Sequence, residues 1–389
     1  MYKSNSRLLD IFIVVIVSSL IGMLAGAGYI YTLNKGKEKS SSNVSLIDDM
    51  YNTIIDKYYG NIDEDELVEA AISGMLSKLD SNSAYMDPLT TYSFNKKMQG
   101  EYYGIGIESL TVDKGVLVVE VLKNSVANNA GIKENDVITT INGESLAGKT
   151  ASYFTDLVAK SSTELKLTIN RNSKSININL IPEKIIIESV STNKFNINGK
   201  RVGYIKIDIF AANTASQFTS KLKSLEETGI DSLIIDVRNN SGGYLSQAST
   251  ILELFMEKDT ILYRTESKTS SLTRKDQTEE NRTYPIAILV NGSTASASEV
   301  LTACFMENVG AKVIGTRTYG KGTVQETINV LDNSKAKLTT KNWYTPKGNS
   351  VNEKGIIPSV VVEPSNTYQS NPTYDNDNEL ERALKELSI

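Results

Sequence analysis

Hydrophobic and polar positions change their spacing several times along the chain, and each change marks a predicted region. Residues 46–59 and 64–79 place apolar side chains at helical intervals. These two segments predict a helical hairpin, with Asp63 and Asp65 as caps of its second helix. The hairpin packs on the next domain or, alternatively, forms a dimer contact.

From about Tyr102 the hydrophobic period changes to two, in GIGIESL and GVLVVEVL, before a helix-like segment from Ala151 to Lys160. This pattern predicts short strands and one helix. After Ile181 strand-like and helix-like segments alternate as far as KVIGT, which predicts a mainly parallel sheet with crossover helices. The sequence ends in a polar and loose tail, 365–376, and a short amphipathic helix over 379–387.

The N-terminal region contains a candidate membrane span. Ile11 to Ile30 are uncharged and mostly apolar, and a stretch of about 20 such residues can cross a bilayer as a helix. A cleaved signal peptide is the alternative, although its apolar region is usually only about 7–15 residues long. We therefore expect an uncleaved anchor in the lipid bilayer. Lys3 and Arg7 precede the span and three lysines follow it closely, so the flanking charges leave its orientation open.

The composition restricts the chemistry that the protein can perform. The 389 residues include no histidine and one cysteine. The absence of histidine excludes Ser-His-Asp and Cys-His catalysis and zinc bound by histidine. The single cysteine, Cys304, lies in an apolar run and is interpreted as a buried structural thiol. No metal and no cofactor are expected, and a net charge of -5 with interspersed signs argues against nucleic acid as a partner.

The segment NGSTASASE, residues 291–299, joins an apolar strand to an apolar helix. Ser296 lies near the start of that helix, where its hydroxyl can act as a nucleophile. Backbone N–H groups at a helix start can stabilise negative charge that develops on a substrate carbonyl. The structural alternative is a capping box formed by Ser296 and Glu299, which requires no catalysis.

A serine nucleophile needs a base, and without histidine the candidates are lysine and the carboxylates. Lys321 lies between two glycines in TYGKGTVQ, and Gln325 can orient its amine. Lysine acts as a base only when neutral, so its pKa must fall from about 10.4 towards about 7–8. One alternative is a turn with a solvated lysine. Another is a phosphate loop, which Gly322 and the strand-like TVQETINV argue against.

A third segment, DVRNNSGG over residues 236–243, follows an apolar strand. Functional residues of parallel sheets gather at the carboxyl ends of the strands. A glycine N–H from this segment can join the N–H of Ala297 in an oxyanion hole. The alternative is a simple strand-to-helix turn in which Gly242 and Gly243 relieve backbone strain.

Taken together, eight segments resemble those of the carboxyl-terminal processing peptidases, a family of Ser-Lys proteases. In chain order they read SGMLSKLDSNSAYMDP, YYGIGIE, NAGIKENDVITTINGESL, GYIKIDIF, DVRNNSGGYL, STASASE, YGKGTVQ and YTPKGNSVNEKGIIPSVVV. The resemblance implies Ser296 as nucleophile, Lys321 as base and Gln325 as the residue that orients it. It also implies Gly242 and Ala297 as the backbone donors of an oxyanion hole, and a catalytic part outside the cytoplasmic membrane.

The resemblance further implies a PDZ domain from Tyr102 to about Ile181, which binds a peptide C-terminus by strand addition. Its binding loop comprises Gly104, Ile105, Gly106 and Ile107. The other wall of the groove is the helix from Ala151, which offers Phe154 and Leu157 or Val158 to an apolar terminal side chain. The expected substrates are proteins or peptides with free, apolar C-termini. Rival hypotheses are a non-catalytic membrane-tethered PDZ scaffold and a protease dedicated to one signalling substrate.

These inferences predict a multidomain α/β protein, with a homodimer as a candidate assembly. The predicted regions are a cytoplasmic tip and transmembrane anchor (1–33), a linker (34–43), an N-terminal helical region (44–98), a PDZ domain (99–182), an α/β Ser-Lys protease core with a mainly parallel sheet (183–364), and a polar tail with a C-terminal helix (365–389).

Overall fold

The computed structural model describes residues 43–331 and 333–388, and the chain divides after Met75 into two compact units. The first unit contains the two predicted helices, α1 (43–57) and α2 (Glu64–Leu76). Asp63 caps α2, because its carboxylate accepts hydrogen bonds from the N–H groups of Asp65 and Glu66 at 3.0 and 3.2 Å. Asp65 itself lies inside the first turn and is not the cap.

The predicted membrane span, Ile11 to Ile30, lies outside the described residues. Among the residues that the structure describes, no helix is long and apolar enough to cross a membrane.

The second unit begins with a short strand and a helix that precede the PDZ region. These elements are β1 (Ala84–Met86), α3 (Pro88–Gln99) and β2 (Glu101–Gly104). Asp87 caps α3 by accepting a hydrogen bond from the N–H of Thr90 at 2.6 Å. The helix ends at Gly100, whose φ of 70° lies in the left-handed region that glycine adopts without strain.

The PDZ region is a six-stranded antiparallel sheet with two helices. Its elements are β3 (Ile107–Val112), β4 (Gly115–Val121), α4 (Val126–Asn129), β5 (Val137–Ile141), β6 (Glu144–Ser145), α5 (Ala151–Lys160), β7 (Leu165–Arg171) and β8 (Lys174–Leu180). The strand order is β3-β4-β5-β7-β8, with β6 paired to β5. The predicted helix is confirmed as α5, which Thr150 caps through the N–H of Tyr153 at 3.1 Å. A two-stranded ribbon of β2 and β9 (Glu183–Ile186) follows.

A mixed six-stranded sheet forms the centre of the protease region. Its strands and helices are β10 (Val190–Ile197), β11 (Lys200–Ile207), α6 (Thr214–Glu227), β12 (Ser232–Asp236), α7 (Leu245–Leu252), β15 (Ile286–Val290), α8 (Ala297–Asn308), β16 (Lys312–Gly315) and β19 (Val360–Val361). In the order β10-β11-β12-β15-β16-β19, the first pair is antiparallel and the other four pairs are parallel. Every residue of β12 and β15 is buried, because helices cover both faces of the sheet.

A second sheet of the protease region is entirely antiparallel, so the prediction of a mainly parallel sheet is incomplete. It combines β1 with β13 (Ile261–Ser267), β14 (Ser271–Lys275), β17 (Thr323–Asn329) and β18 (Lys335–Tyr344). All its pairs are antiparallel. The alternation of strand and helix missed this sheet, because antiparallel neighbours need only a short hairpin and no crossover helix. The sheets of the whole chain are therefore mixed.

The C-terminal segment is ordered and differs in this respect from the loose tail expected. It forms α9 (Asn366–Ser370), a 3-10 turn (Tyr374–Asn376) and α10 (Asn378–Leu387), the last close to the predicted helix. The polar composition of this segment did not indicate that it is buried. Its acidic side chains form a buried network in which Arg238 pairs with Asp377 at 2.7 Å and with Glu379 at 2.7 Å. Asp236 at the end of β12 completes this network at 2.6 Å. The network ties the C-terminal segment to the loop after β12.

Cys304 lies fully buried in α8. Burial raises the pKa of its thiol to about 12, and the residue is a structural thiol as predicted.

Candidate active site

The three loops singled out from the sequence leave the carboxyl ends of neighbouring parallel strands. Gly242 follows β12, Ser296 follows β15 and Lys321 follows β16. Since β15 lies between β12 and β16, the three loops meet at one edge of the sheet. Gly242, Ser296, Lys321 and Gln325 all line one cavity of about 750 Å³. The structure thus brings together residues that lie far apart in the sequence.

Ser296 has a strained backbone at the start of α8. Its φ of 58° and ψ of -118° lie in a region that residues with a side chain seldom adopt. Such conformations cost about 1–3 kcal/mol and persist only where the surroundings enforce them. The carbonyl of Asn240 supplies part of this support, because it accepts hydrogen bonds from the Ala295 N–H and the Ser298 hydroxyl, both at 3.0 Å. The turn holds Ser296 at the cavity wall.

Glu299 connects the Ser296 turn to the Lys321 loop. Its fully buried carboxylate accepts hydrogen bonds from the N–H groups of Ser296 and Lys321, both at 2.8 Å. The other oxygen accepts from the Gly320 N–H at 2.8 Å and the Thr318 hydroxyl at 2.6 Å. Glu299 and Ser296 do form the predicted cap at the helix start. The same Glu299 carboxylate therefore caps α8 and links the two loops.

Exchange of Glu299 for glutamine is expected to destabilise the fold by about 3 kcal/mol, because one oxygen acceptor becomes an amide that faces two donors. Urea denaturation followed by circular dichroism measures the change. Glu307, half-buried on the same helix, is the matched control, and Glu307→Gln should cost less than about 1 kcal/mol. Equal free energies of unfolding for the two variants would contradict the linking role of Glu299.

The Lys321 loop packs closely against its neighbours at the two glycines that flank the lysine. Gly320 has a φ of 89°, and a Cβ there would lie 2.7 Å from the backbone nitrogen of Gly355. A Cβ at Gly322 would lie 2.5 Å from the Cβ of Asn352. The carbonyl of Lys321 accepts a hydrogen bond from the indole N–H of Trp343 at 2.8 Å. The segment is therefore a rigid loop, and since the strand β17 follows it, it lacks the helix that a phosphate loop requires.

The surroundings of Lys321 favour its neutral form. Burial lowers the pKa of Lys321, and the ammonium group of Lys337 lowers it further, whereas Asp80 and Glu299 act in the opposite direction. Lys337 lines the same cavity. A lowered pKa is the property that a lysine needs to act as a base near neutral pH.

Gln325 lies at an irregularity of β17, where the register with β18 shifts between Val324 and Gln325. Its side-chain amide nitrogen donates hydrogen bonds to the hydroxyls of Thr323 at 2.9 Å and Thr339 at 3.0 Å. These two contacts fix the amide and leave its carbonyl oxygen available for an amine.

The two candidate oxyanion donors differ in their hydrogen bonding. Within the described chain the N–H of Ala297 donates no hydrogen bond. The N–H of Gly242 donates to the side-chain oxygen of Asn240 at 2.8 Å. Gly242 nevertheless lies against Ser296, since a Cβ on this glycine would lie 2.9 Å from the Ser296 Cβ. Of these two candidate donors, only the N–H of Ala297 is free within the described chain.

The predicted peptide-binding loop lines a separate cavity of about 240 Å³ in the PDZ region. Gly104, Ile105, Gly106 and Ile107 form one side, and Phe154 and Val158 of α5 form another. Of the two positions expected beside Phe154, Val158 lines the cavity; Leu157 instead packs on the PDZ core.

Two residues with structural influence on the site were missed by the sequence analysis. Asn240 supports the Ser296 turn, and Lys337 adds positive charge near Lys321. Asn240 lies in the DVRNNSGG segment already singled out, so its position was a usable signal. Lys337 follows Lys321 by sixteen residues on another strand, and only the pairing of β17 with β18 brings it to the cavity.

Comparisons with known proteins give consistent results over most of the chain. The family model described as "Peptidase family S41" matches residues 201–362, and "PDZ domain" matches residues 91–170. A third, "Activating protease CtpB N-terminal domain", matches residues 25–90.

The curated relatives of this chain are named as proteases. A "Probable CtpA-like serine protease" of Staphylococcus haemolyticus is 34% identical over 95% of this chain and 74% of its own length. The "Carboxy-terminal processing protease CtpB" of Bacillus subtilis is 34% identical over 84% of this chain and 69% of its own length.

A crystal structure of a "Putative S41 protease" from Bacteroides fragilis shares the fold. It has a TM-score of 0.52 and 16% identity over 85% of this chain and 98% of its own. The chain therefore belongs to peptidase family S41, as a serine-type carboxy-terminal processing peptidase with a PDZ domain.

Proposed function

We propose that the protein is a membrane-anchored endopeptidase in which Ser296 is the nucleophile and Lys321 its general base. The observation that carries this proposal is the shared cavity, where a strained serine turn and a half-buried lysine with a lowered pKa lie on adjoining loops. No histidine exists to act as base. Gln325, held by two threonines, orients the Lys321 amine with its carbonyl oxygen.

The reaction follows from these roles. Neutral Lys321 accepts the proton of the Ser296 hydroxyl while the serine oxygen bonds to the carbonyl carbon of the scissile peptide. The tetrahedral intermediate collapses when protonated Lys321 gives its proton to the leaving amine, and an ester with Ser296 remains. Lys321 then takes a proton from a water molecule, which attacks the ester carbonyl, and it returns that proton to the Ser296 oxygen as this oxygen leaves, so that the new C-terminus is released and Lys321 is neutral again.

The negative charge of the tetrahedral intermediate is placed between two backbone donors in this proposal. The free N–H of Ala297 is the first, at the start of α8. The N–H of Gly242 is the second, and it must turn from the Asn240 side chain towards the substrate oxygen. This turn is feasible for glycine, whose φ of 103° is already in a region that other residues rarely adopt.

Substrate selection is assigned to the PDZ loop. Its glycines allow closely spaced N–H groups to face a terminal carboxylate, and Phe154 and Val158 accept an apolar terminal side chain. The substrates are then proteins or peptides with free, apolar C-termini, bound at the PDZ domain and cleaved at the Ser296 cavity.

Anchoring and assembly complete the proposal. Ile11 to Ile30 form the single span in the bilayer, with the catalytic part on the extracytoplasmic side. The first unit exposes several large apolar side chains that a homodimer would cover; these are Leu46, Ile47, Met50 and Met75.

A pair of substrates tests the proposed function. We expect the full-length chain in detergent to cleave an unfolded polypeptide with an apolar free C-terminus about tenfold or more faster, in kcat/KM, than the same polypeptide with a C-terminal amide. The reason is loss of a charge-assisted hydrogen bond, typically worth about 1.5–3 kcal/mol. Mass spectrometry of the products identifies the cleaved bonds. Equal rates for the two substrates would contradict recognition of the free C-terminus. If neither substrate were cleaved, the endopeptidase assignment would be wrong.

A further inference from the structure

The PDZ cavity has a third wall that does not belong to the PDZ sheet or to its helices. Four residues of α3 line it beside the binding loop; they are Leu89, Tyr92, Ser93 and Lys96. This helix precedes the PDZ strands in the chain and packs against β2. A ligand in the cavity therefore meets α3 as well as the loop and α5.

The binding loop presents backbone donors without acceptors. Ile105 is only 2% exposed and Gly106 is also buried, yet within the described chain the N–H groups of both donate no hydrogen bond. Their carbonyls are paired, with the N–H groups of Ala127 at 3.0 Å and Leu122 at 2.9 Å. Buried donors in folded proteins nearly always have a partner, so two unpaired ones beside a cavity indicate an acceptor that comes from a ligand.

Lys96 adds a positive charge to the same cavity. Its Nζ lies 4.1 Å from the centre of the Tyr102 ring, a cation–π contact that holds the side chain beside the loop. Among the described residues no carboxylate forms an ion pair with Lys96, although Glu108 lines the cavity too. Burial lowers the pKa of Lys96, whereas Glu108 opposes this effect. A half-buried cation that forms no ion pair within the described chain, although the Glu108 carboxylate acts on it, is thus held where two N–H groups lack an acceptor.

We infer that Lys96 binds the C-terminal carboxylate of the substrate together with the N–H groups of Ile105 and Gly106. One carboxylate can satisfy all three donors, since it offers two oxygens with about four acceptor positions. The terminal side chain then lies between Phe154 and Val158. This inference rests on the proposed C-terminus recognition and adds a binding residue from outside the PDZ sheet.

Peptide binding to the full-length Ser296→Ala protein in detergent tests the role of Lys96. The probes are two peptides with the same apolar C-terminal residue, one with a free carboxylate and one amidated, and the measured quantity is the ratio of their Kd values. We expect a ratio of about ten or more in the parent, and about three or less in the additional variant Lys96→Gln. Lys96→Arg should retain most of the preference, because it keeps the charge.

Lys149→Gln is the matched control. Lys149 also lies over a tyrosine, with its Nζ 4.7 Å from the ring centre of Tyr153, but it is exposed and outside the cavity. This variant should keep the parent's ratio. Lys96→Met, which keeps the apolar stem over Tyr102, repeats the charge removal if Lys96→Gln fails to fold.

The outcomes separate this inference from the proposed function. Equal affinities for both peptides in the parent would overturn C-terminus recognition and the role of Lys96 with it. A preference for the free acid that survives in Lys96→Gln or Lys96→Met would overturn Lys96 alone. If inorganic phosphate at millimolar concentration displaced both peptides equally, the cavity would be a general anion site, and a site for peptide carboxylates would be contradicted.

Discussion

Exchange of Ser296 for alanine is expected to reduce peptidase activity by roughly 10³-fold or more, because the hydroxyl that forms the ester is lost. The protein should still fold, since the backbone of Ser296 and the side chains of its neighbours also hold the turn, and loss of the Ser296 side chain from the cap costs about 1 kcal/mol. Cleavage of a casein-like unfolded protein, followed by release of peptides, measures the loss. A variant that retains activity near that of the parent would remove Ser296 from the mechanism.

The strain at Ser296 gives the same prediction a second readout. Glycine adopts a φ of 58° and a ψ of -118° without a clash of its own, whereas alanine keeps the strain of the serine. Ser296→Gly should therefore unfold at a temperature equal to or above that of Ser296→Ala, although glycine elsewhere at a helix start usually gives no advantage over other residues. Both variants should be inactive. A clearly lower unfolding temperature for Ser296→Gly would indicate that the turn is not under strain.

The strands and helices of the protease region could be predicted from the sequence where burial is complete. The strand IAILV is a continuous apolar run, and SLIIDVR contains the apolar run LII, because helices cover both faces of the sheet. The helices that alternate with these strands indicated parallel order. The antiparallel sheet was missed because its strands are polar on one face, and because β13 joins β14 and β17 joins β18 through short turns rather than crossover helices. Local pattern does not reveal how such strands pair.

The candidate site was predictable to the extent that its residues lie in glycine-bearing turns after apolar strands. The position of Glu299 three residues after Ser296 predicted a cap, and the structure contains it. Its contacts with Gly320 and Lys321 were not predictable, since they join loops more than twenty residues apart. The hydrogen bond between Gly242 and Asn240 is similarly a tertiary feature, because loop geometry alone decides which acceptor an N–H meets.

Exchange of Lys321 is expected to have an effect as large as that of Ser296. Lys321→Arg and Lys321→Ala should both lose roughly 10³-fold or more in kcat/KM, since a guanidinium stays protonated and cannot accept the serine proton. Lys341→Gln is the matched control, because Lys341 lies on β18 opposite Val324, which is close to Lys321 in the chain, but its amine pairs with Glu326. Its kcat/KM should stay within about threefold of the parent's. Substantial activity in Lys321→Arg would show that Lys321 supplies only positive charge, and the general-base role would be wrong.

The dependence of activity on pH distinguishes a base from a merely structural lysine. Activity of the parent should rise with pH through the lowered pKa of Lys321, because only the neutral amine accepts a proton. Lys337→Gln removes a nearby positive charge that lowers this pKa. The pKa of Lys321 should therefore rise, which moves the increase in kcat/KM to higher pH and reduces the rate at neutral pH while the rate at high pH is retained. A uniform loss at every pH would assign Lys337 a structural role, and an unchanged profile would contradict its electrostatic influence on the base.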